Sequence, residues 1–154
     1  MKKKWLIYGA NGYTGQLIAR QARQRGLKPI LAGRSNECIA AIAAETGFDS
    51  LVFDLDDTAE LNKALQGISL VLHCAGPFSA TSQPMIEGCL RRGCHYLDIT
   101  GEISVFANAY KQSDEASHAD IVLMPGVATF SSACVAAGRV PAGATVAAVS
   151  ILEA

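Results

Sequence analysis

The segment Gly9-Ala10-Asn11-Gly12-Tyr13-Thr14-Gly15 limits what this chain can fold into more than any other part of it. Its three glycines, spaced by three, come directly after the apolar run Trp5-Leu6-Ile7-Tyr8 and open a helix-compatible stretch over residues 13–25. A strand that turns this sharply into a helix needs glycines, because a Cβ would block both the turn and the close packing of helix on strand. A loop of this kind lets the backbone approach a phosphate, and the N–H groups and positive dipole end of the helix favour an anion there. Gly9, Asn11, Gly12, Tyr13, Thr14 and Gly15 are therefore candidate cofactor-binding residues. The alternative is an ordinary Gly-rich turn without a ligand. A Walker-type loop is disfavoured, since Gly15 is followed by Gln16 and no Gly-Lys-Ser/Thr run is present.

Short apolar runs and helix-compatible segments alternate along the rest of the chain, which is the pattern of a parallel sheet covered by helices. Strands are expected at residues 5–8, 29–32, 50–53, 69–74, 95–99 and 120–124. Helices are expected at 13–25, 36–46, 58–66, 83–92 and 105–117. Asp56 and Asp57 mark the start of the third helix as capping residues, and Gly67 and Gly93 close the third and fourth. The fold class is α/β, a Rossmann-type doubly wound parallel sheet of about six strands with helices on both faces. Residues 1–126 form this dinucleotide-binding domain; 127–154 read as a connector, with a strand near 145–152.

Composition supports a folded chain and excludes several partners. Half of the 154 residues are apolar and 18% are charged, so a core can form. Thirteen Lys and Arg against fourteen Asp and Glu leave a net charge of −1, with no global field to draw nucleic acid or an anionic membrane. The head Met1-Lys2-Lys3-Lys4 leads into an apolar run too short for a signal sequence or a membrane span. The cysteines at 38, 74, 89, 94 and 134 form no C-x-x-C pair, which suits reduced thiols and a cytoplasmic location. Cys89 and Cys94 read as small packing residues, and no metal site is expected. No tyrosine has a lysine four residues on, and neither G-x-S-x-G nor H-E-x-x-H occurs.

The remaining candidates stand where strands end. After the second strand the chain reads Ala32-Gly33-Arg34-Ser35, in the place where an acidic residue would bind the ribose 2′-hydroxyl of NAD. Arg34 with Ser35 suits a 2′-phosphate instead and favours NADP. Otherwise Arg34 is a solvated charge, and Ser35 caps the next helix in either case. Asp54, after the third strand, is placed to accept from adenine. Ala75, Gly76, Pro77 and Phe78 follow the fourth strand at the crevice, and His73 before them reads as a packed, satisfied side chain. The polar run Asp98-Ile99-Thr100-Gly101-Glu102 follows the fifth strand, with Met124-Pro125-Gly126 after the sixth. Asp98, Thr100 and Glu102 are the candidates for orienting nicotinamide or substrate. Their alternative role is to cap the helix that follows, with Thr100 or Ser104 as the capping side chain.

Taken in order, Tyr8 to Gly15, Ala32-Gly33-Arg34, Ala75-Gly76-Pro77-Phe78, Tyr96 to Glu102 and Pro125-Gly126 resemble the NADP-binding domain of saccharopine dehydrogenase-like oxidoreductases. That group includes saccharopine reductases and trans-acting enoyl reductases. The resemblance implies an NADP-dependent oxidoreductase whose Rossmann domain precedes a larger substrate and dimerisation domain. It also implies that Gly9, Gly12 and Gly15 form the phosphate loop, that Arg34 contacts the 2′-phosphate, and that Gly76-Pro77-Phe78 form the nicotinamide-side loop. The family has an aspartate shortly after its Pro-Gly block, whereas this chain reads Val127-Ala128-Thr129-Phe130-Ser131. On this reading the chain is the cofactor-binding half of a longer enzyme, inactive alone, and residues 145–152 begin the substrate domain. The competing readings are a non-catalytic NADP-binding sensor and a homodimer completed through the C-terminal strand.

Overall fold

The computed structural model describes residues 4–127. In chain order the elements are β1 (Lys4–Tyr8), α1 (Tyr13–Gln24), β2 (Ile30–Gly33), α2 (Asn36–Thr46), β3 (Ser50–Val52), α3 (Thr58–Ala64), β4 (Ile68–His73), α4 (Phe78–Arg92), β5 (His95–Asp98), α5 (Ile103–Lys111), α6 (Ser113–His118) and β6 (Leu123–Met124). The strands form one sheet in the order β3-β2-β1-β4-β5-β6, and every pair is parallel. The chain starts in the middle, winds outward to β3, then crosses back to β4 on the other side of β1. The switch between β1 and β4 opens a crevice at the carboxyl edge, the usual ligand position in open α/β sheets.

Alternation along the strands sorts the core into two layers. Leu6, Tyr8, Val71 and Tyr96 pack with Leu61, Leu65, Met85, Ile86 and Cys89 on the face covered by α3 and α4. Trp5, Ile7, Leu31, Leu70, Leu72 and Leu97 pack with Ala19, Ala22, Ile39 and Ile42 of α1 and α2 on the other. Ile7 lies beside both Leu31 and Leu72 across the ladder, which makes β1 the centre of the second layer. Strands buried on both faces account for the near-continuous apolar run of β4. Among the described residues no helix is long and apolar enough to cross a membrane.

Several boundaries differ from expectation. α4 begins at Phe78 rather than residue 83 and carries Pro84 in its interior. The helix therefore runs through a residue that lacks an N–H and would ordinarily break it. The expected fifth helix is two, because Gln112 leaves helical geometry and separates α5 from α6; its side chain donates instead to Asn108 O and to Gln83 on α4. The expected strand at 120–124 shrinks to Leu123–Met124. Asp120 adopts φ 54, a left-handed turn that aspartate tolerates and a strand does not. Asp57 alone caps α3, through Ala59 and Glu60 N–H, while Asp56 does not. That helix closes at Leu65, two residues before the left-handed Gly67. The expected connector beyond 127 and the strand at 145–152 lie outside the described residues.

Leu31 is fully buried between β1 and β3, whereas Val52 on the edge strand is 43% exposed. Leu31→Ala should lower the unfolding free energy by about 2–5 kcal/mol, the range for emptying a well-packed core site. Val52→Ala should change it by no more than about 0.5 kcal/mol. Urea unfolding of both variants checks the assignment of inside and edge.

Candidate functional site

A cleft of about 550 Å³ opens at the switch between β1 and β4. Tyr8, Gly9, Asn11 and Gly12 line it from the first loop, Gly33, Arg34 and Ser35 from the second, Asp54 from the third, and Cys74, Ala75 and Gly76 from the fourth. Four loops that are remote in sequence are thereby brought to one site by the parallel sheet.

The first loop is built by close backbone approach. Gly9 has φ +78, and a Cβ there would fall 2.7 Å from the Ala75 nitrogen. Gly15, in the first turn of α1, would place a Cβ 2.3 Å from the Gly9 carbonyl oxygen. Neither position admits a side chain. Gly9 and Ala10 N–H both donate to the Ala32 carbonyl, which ties the loop to the end of β2.

The helices that begin at this edge differ at their N-termini. Ser35 Oγ accepts from Cys38 N–H and caps α2, and Asp57 caps α3. At α4, both oxygens of Glu102 accept from the first N–H groups, Phe78 and Ser79, at 2.9 Å each. At α1 the cap position is Gly12, no side chain among the described residues bonds to the first turn, and that turn holds no acidic residue. The dipole end of α1 thus meets the cleft without an internal anion. Arg34 is exposed at the cleft and takes part in no hydrogen bond or ion pair among the described residues.

A family model described as the saccharopine dehydrogenase NADP binding domain matches residues 5–140. The chain belongs to that family. Among curated relatives, the saccharopine dehydrogenase-like oxidoreductase of Bos taurus is 24% identical over 148 residues, covering 82% of this chain and 34% of its own length. The trans-acting enoyl reductase of Mycobacterium leprae (strain TN) is 30% identical over 132 residues, covering 79% of this chain and 31% of its own. The chain thus spans about a third of the curated relatives it matches. Among solved structures, apo saccharopine dehydrogenase (L-Glu forming) from Saccharomyces cerevisiae superposes with a TM-score of 0.69 at 18% identity, over 80% of this chain and 27% of that one. The family is one of NADP-binding domains, in agreement with the cofactor expected from Arg34 and Ser35.

Within this NADP-binding domain, Gly9, Asn11, Gly12, Arg34, Ser35, Asp54, Ala75 and Gly76 come together on the cleft. Tyr13, Thr14 and Gly15 form the first turn of α1 behind it, and Pro77 and Phe78 begin α4. Asp54 Oδ1 also accepts from Asp56 N–H, which orients its carboxylate. Tyr8, Gly33 and Cys74, which were not among the candidate cofactor-binding residues, line the cleft as well. Burial and the Asp54 carboxylate push the Tyr8 hydroxyl up to about 12. Burial, assisted by the charge of Asp98, pushes the Cys74 thiol up to about 12, so it stays protonated and weakly nucleophilic at neutral pH.

Asp98, Thr100 and Glu102 do form one cluster, but not as a cap for α5. The cap position of that helix is Glu102, and no side chain bonds to its first turn. Asp98 is fully buried and accepts from Tyr96 Oη at 2.6 Å, Thr100 N–H at 2.9 Å and Gly126 N–H at 2.7 Å. Thr100 Oγ1 accepts from Glu102 N–H.

His73 is buried as expected but is not fully satisfied. The hydroxyl of Thr81 donates to Ala75 O at 2.6 Å, so its contact with His73 Nε2 at 2.9 Å makes that nitrogen the donor. Nδ1 is left without a partner among the described residues. Burial among Tyr8, Phe78 and Tyr96 pushes the imidazole down to about 3 from its ordinary 6.5. The unfolded chain therefore takes up this proton first as pH falls. His73 favours the folded state above pH 6.5 and loses that contribution progressively toward pH 3. Between pH 7 and pH 5 the loss should be about 2 kcal/mol. Comparing wild type with His73→Phe in urea unfolding at both pH values isolates it; a gap between the two proteins that does not change with pH would contradict the assignment.

Proposed function

We propose that this domain binds NADP in the cleft and serves an oxidoreductase that transfers hydride between that cofactor and a separate substrate. The observation that carries the reading is the N-terminus of α1, uncapped among the described residues, opening on the same cleft as the exposed Arg34. An anion is favoured both at the start of α1 and after β2, as a pyrophosphate and a 2′-phosphate on one molecule require. The backbone cradle supports this fit, because side chains at Gly9 and Gly15 would fill the space the loop needs.

In this reading the N–H groups of the α1 first turn hold the pyrophosphate. Arg34 and Ser35 hold the 2′-phosphate, and Asp54 accepts from the adenine amino group. Ala75, Gly76, Pro77 and Phe78 line the nicotinamide side. The bound cofactor supplies the hydride chemistry, and the domain orients it. Cys74 remains a neutral wall there.

Arg34→Ala should weaken NADPH binding by about tenfold to a hundredfold, the range for losing charge-assisted bonds. NADH affinity should stay within about twofold, so the preference for the phosphorylated cofactor disappears. Fluorescence titration of both cofactors against wild type and variant tests this. Equal affinity of wild type for NADPH and NADH would overturn the assignment.

A further inference from the structure

We propose that Glu102 is a positioning residue, whose carboxylate fixes residues 75–78 as one wall of the cleft. The proposal rests on the NADP reading of that cleft.

The first N–H groups of a helix have no partner within the helix, and Pro77, at the cap position of α4, has no polar side chain to offer them. A carboxylate 24 residues further on fills the gap, with one oxygen on Phe78 N–H and the other on Ser79 N–H. Negative charge at that end also complements the helix dipole. Glu102 is itself held in place. Its own N–H is bound by Thr100 Oγ1, and Thr100 N–H is bound by Asp98, the fully buried carboxylate that also secures Gly126. A line of hydrogen bonds thus runs from the interior, through the loop after β5, to the first turn of α4.

The segment that Glu102 secures forms part of the cleft. Ala75 and Gly76 line it, and Ala75 packs against the backbone of Gly9, where no Cβ fits. Thr81 holds the other side by donating to Ala75 O. Residues 75–77 belong to no strand or helix; these attachments act together with the bonds that Pro77 O accepts from Ala80 and Thr81 N–H. With both oxygens engaged by N–H donors, Glu102 serves as a fixed acceptor rather than as an acid or base. The proposal separates the two halves of the cofactor: the phosphates and adenosine rest on the first three loops, and only the nicotinamide half needs the fourth.

The test compares NADPH with 2′-phospho-ADP-ribose, which lacks the nicotinamide, against wild type, Glu102→Ala and Glu102→Gln. Hydrogen exchange is followed in the same proteins. Glu102→Ala should weaken NADPH about tenfold, while 2′-phospho-ADP-ribose stays within about twofold. Exchange should accelerate at Phe78 and Ser79 and remain unchanged in β1 and β2. Glu102→Gln keeps one acceptor oxygen and should fall between; it also serves if the alanine variant is unstable. Equal loss of both ligands, or unchanged exchange at Phe78 and Ser79, would overturn the positioning role. If wild type binds neither ligand, the NADP reading fails, and the exchange data still decide whether Glu102 holds the segment.

Discussion

Backbone meets backbone where β1 and β4 diverge, and the carboxyl edge is organised around that contact. A Cβ at Gly9 would lie 2.7 Å from the Ala75 nitrogen, and one at Gly15 would lie 2.3 Å from Gly9 O. The first loop, the start of α1 and the loop after β4 can approach so closely only because two side chains are missing. From that approach follow the path of α1 into the cleft and the placement of Ala75 as its opposite wall. The sheet order supplies the rest: strands leave β1 in both directions, so the loops after β2, β3 and β4 must gather around the same opening.

The helices that begin at this edge differ in how their first N–H groups are satisfied. Ser35, Asp57 and Glu102 satisfy the starts of α2, α3 and α4. Among the described residues the start of α1 has no such partner, and Arg34 is exposed beside the same cleft. Desolvated neutral groups line the other part: Cys74 is held as a thiol by burial, and His73 beneath it is held as neutral imidazole for the same reason. Positive character is thus concentrated where phosphates are expected, while the carboxylates beside the fourth loop, Asp98 and Glu102, are engaged by N–H donors.

The features legible in the sequence were the local ones. Glycine spacing after an apolar run revealed the first loop, because the turn and the glycines that permit it lie within seven residues. Arg34 could be placed because a strand end fixes it, and the helix expected at 36–46 matches Asn36–Thr46, which Ser35 caps at its start. What escaped was long-range. Glu102 caps a helix that begins 24 residues earlier, and Asp98 holds Gly126 from 28 residues away. Neither pairing leaves a spacing signal. The start of α4 was missed for the same reason: its cap comes from another loop, and the sequence offers only Gly-Pro, which reads as a turn. The break at Gln112 has no glycine or proline to announce it, since the side chain turns to Gln83 on a neighbouring helix.

Amide chemical-shift mapping during titration with NADPH tests the central claim most directly, because it reports contact residue by residue in solution. The account predicts the largest shifts at Gly12, Tyr13 and Thr14 and at Arg34 and Ser35, with smaller ones at Ala75 and Gly76. Shifts confined to other surfaces, or saturation that leaves the first turn of α1 unmoved, would contradict it.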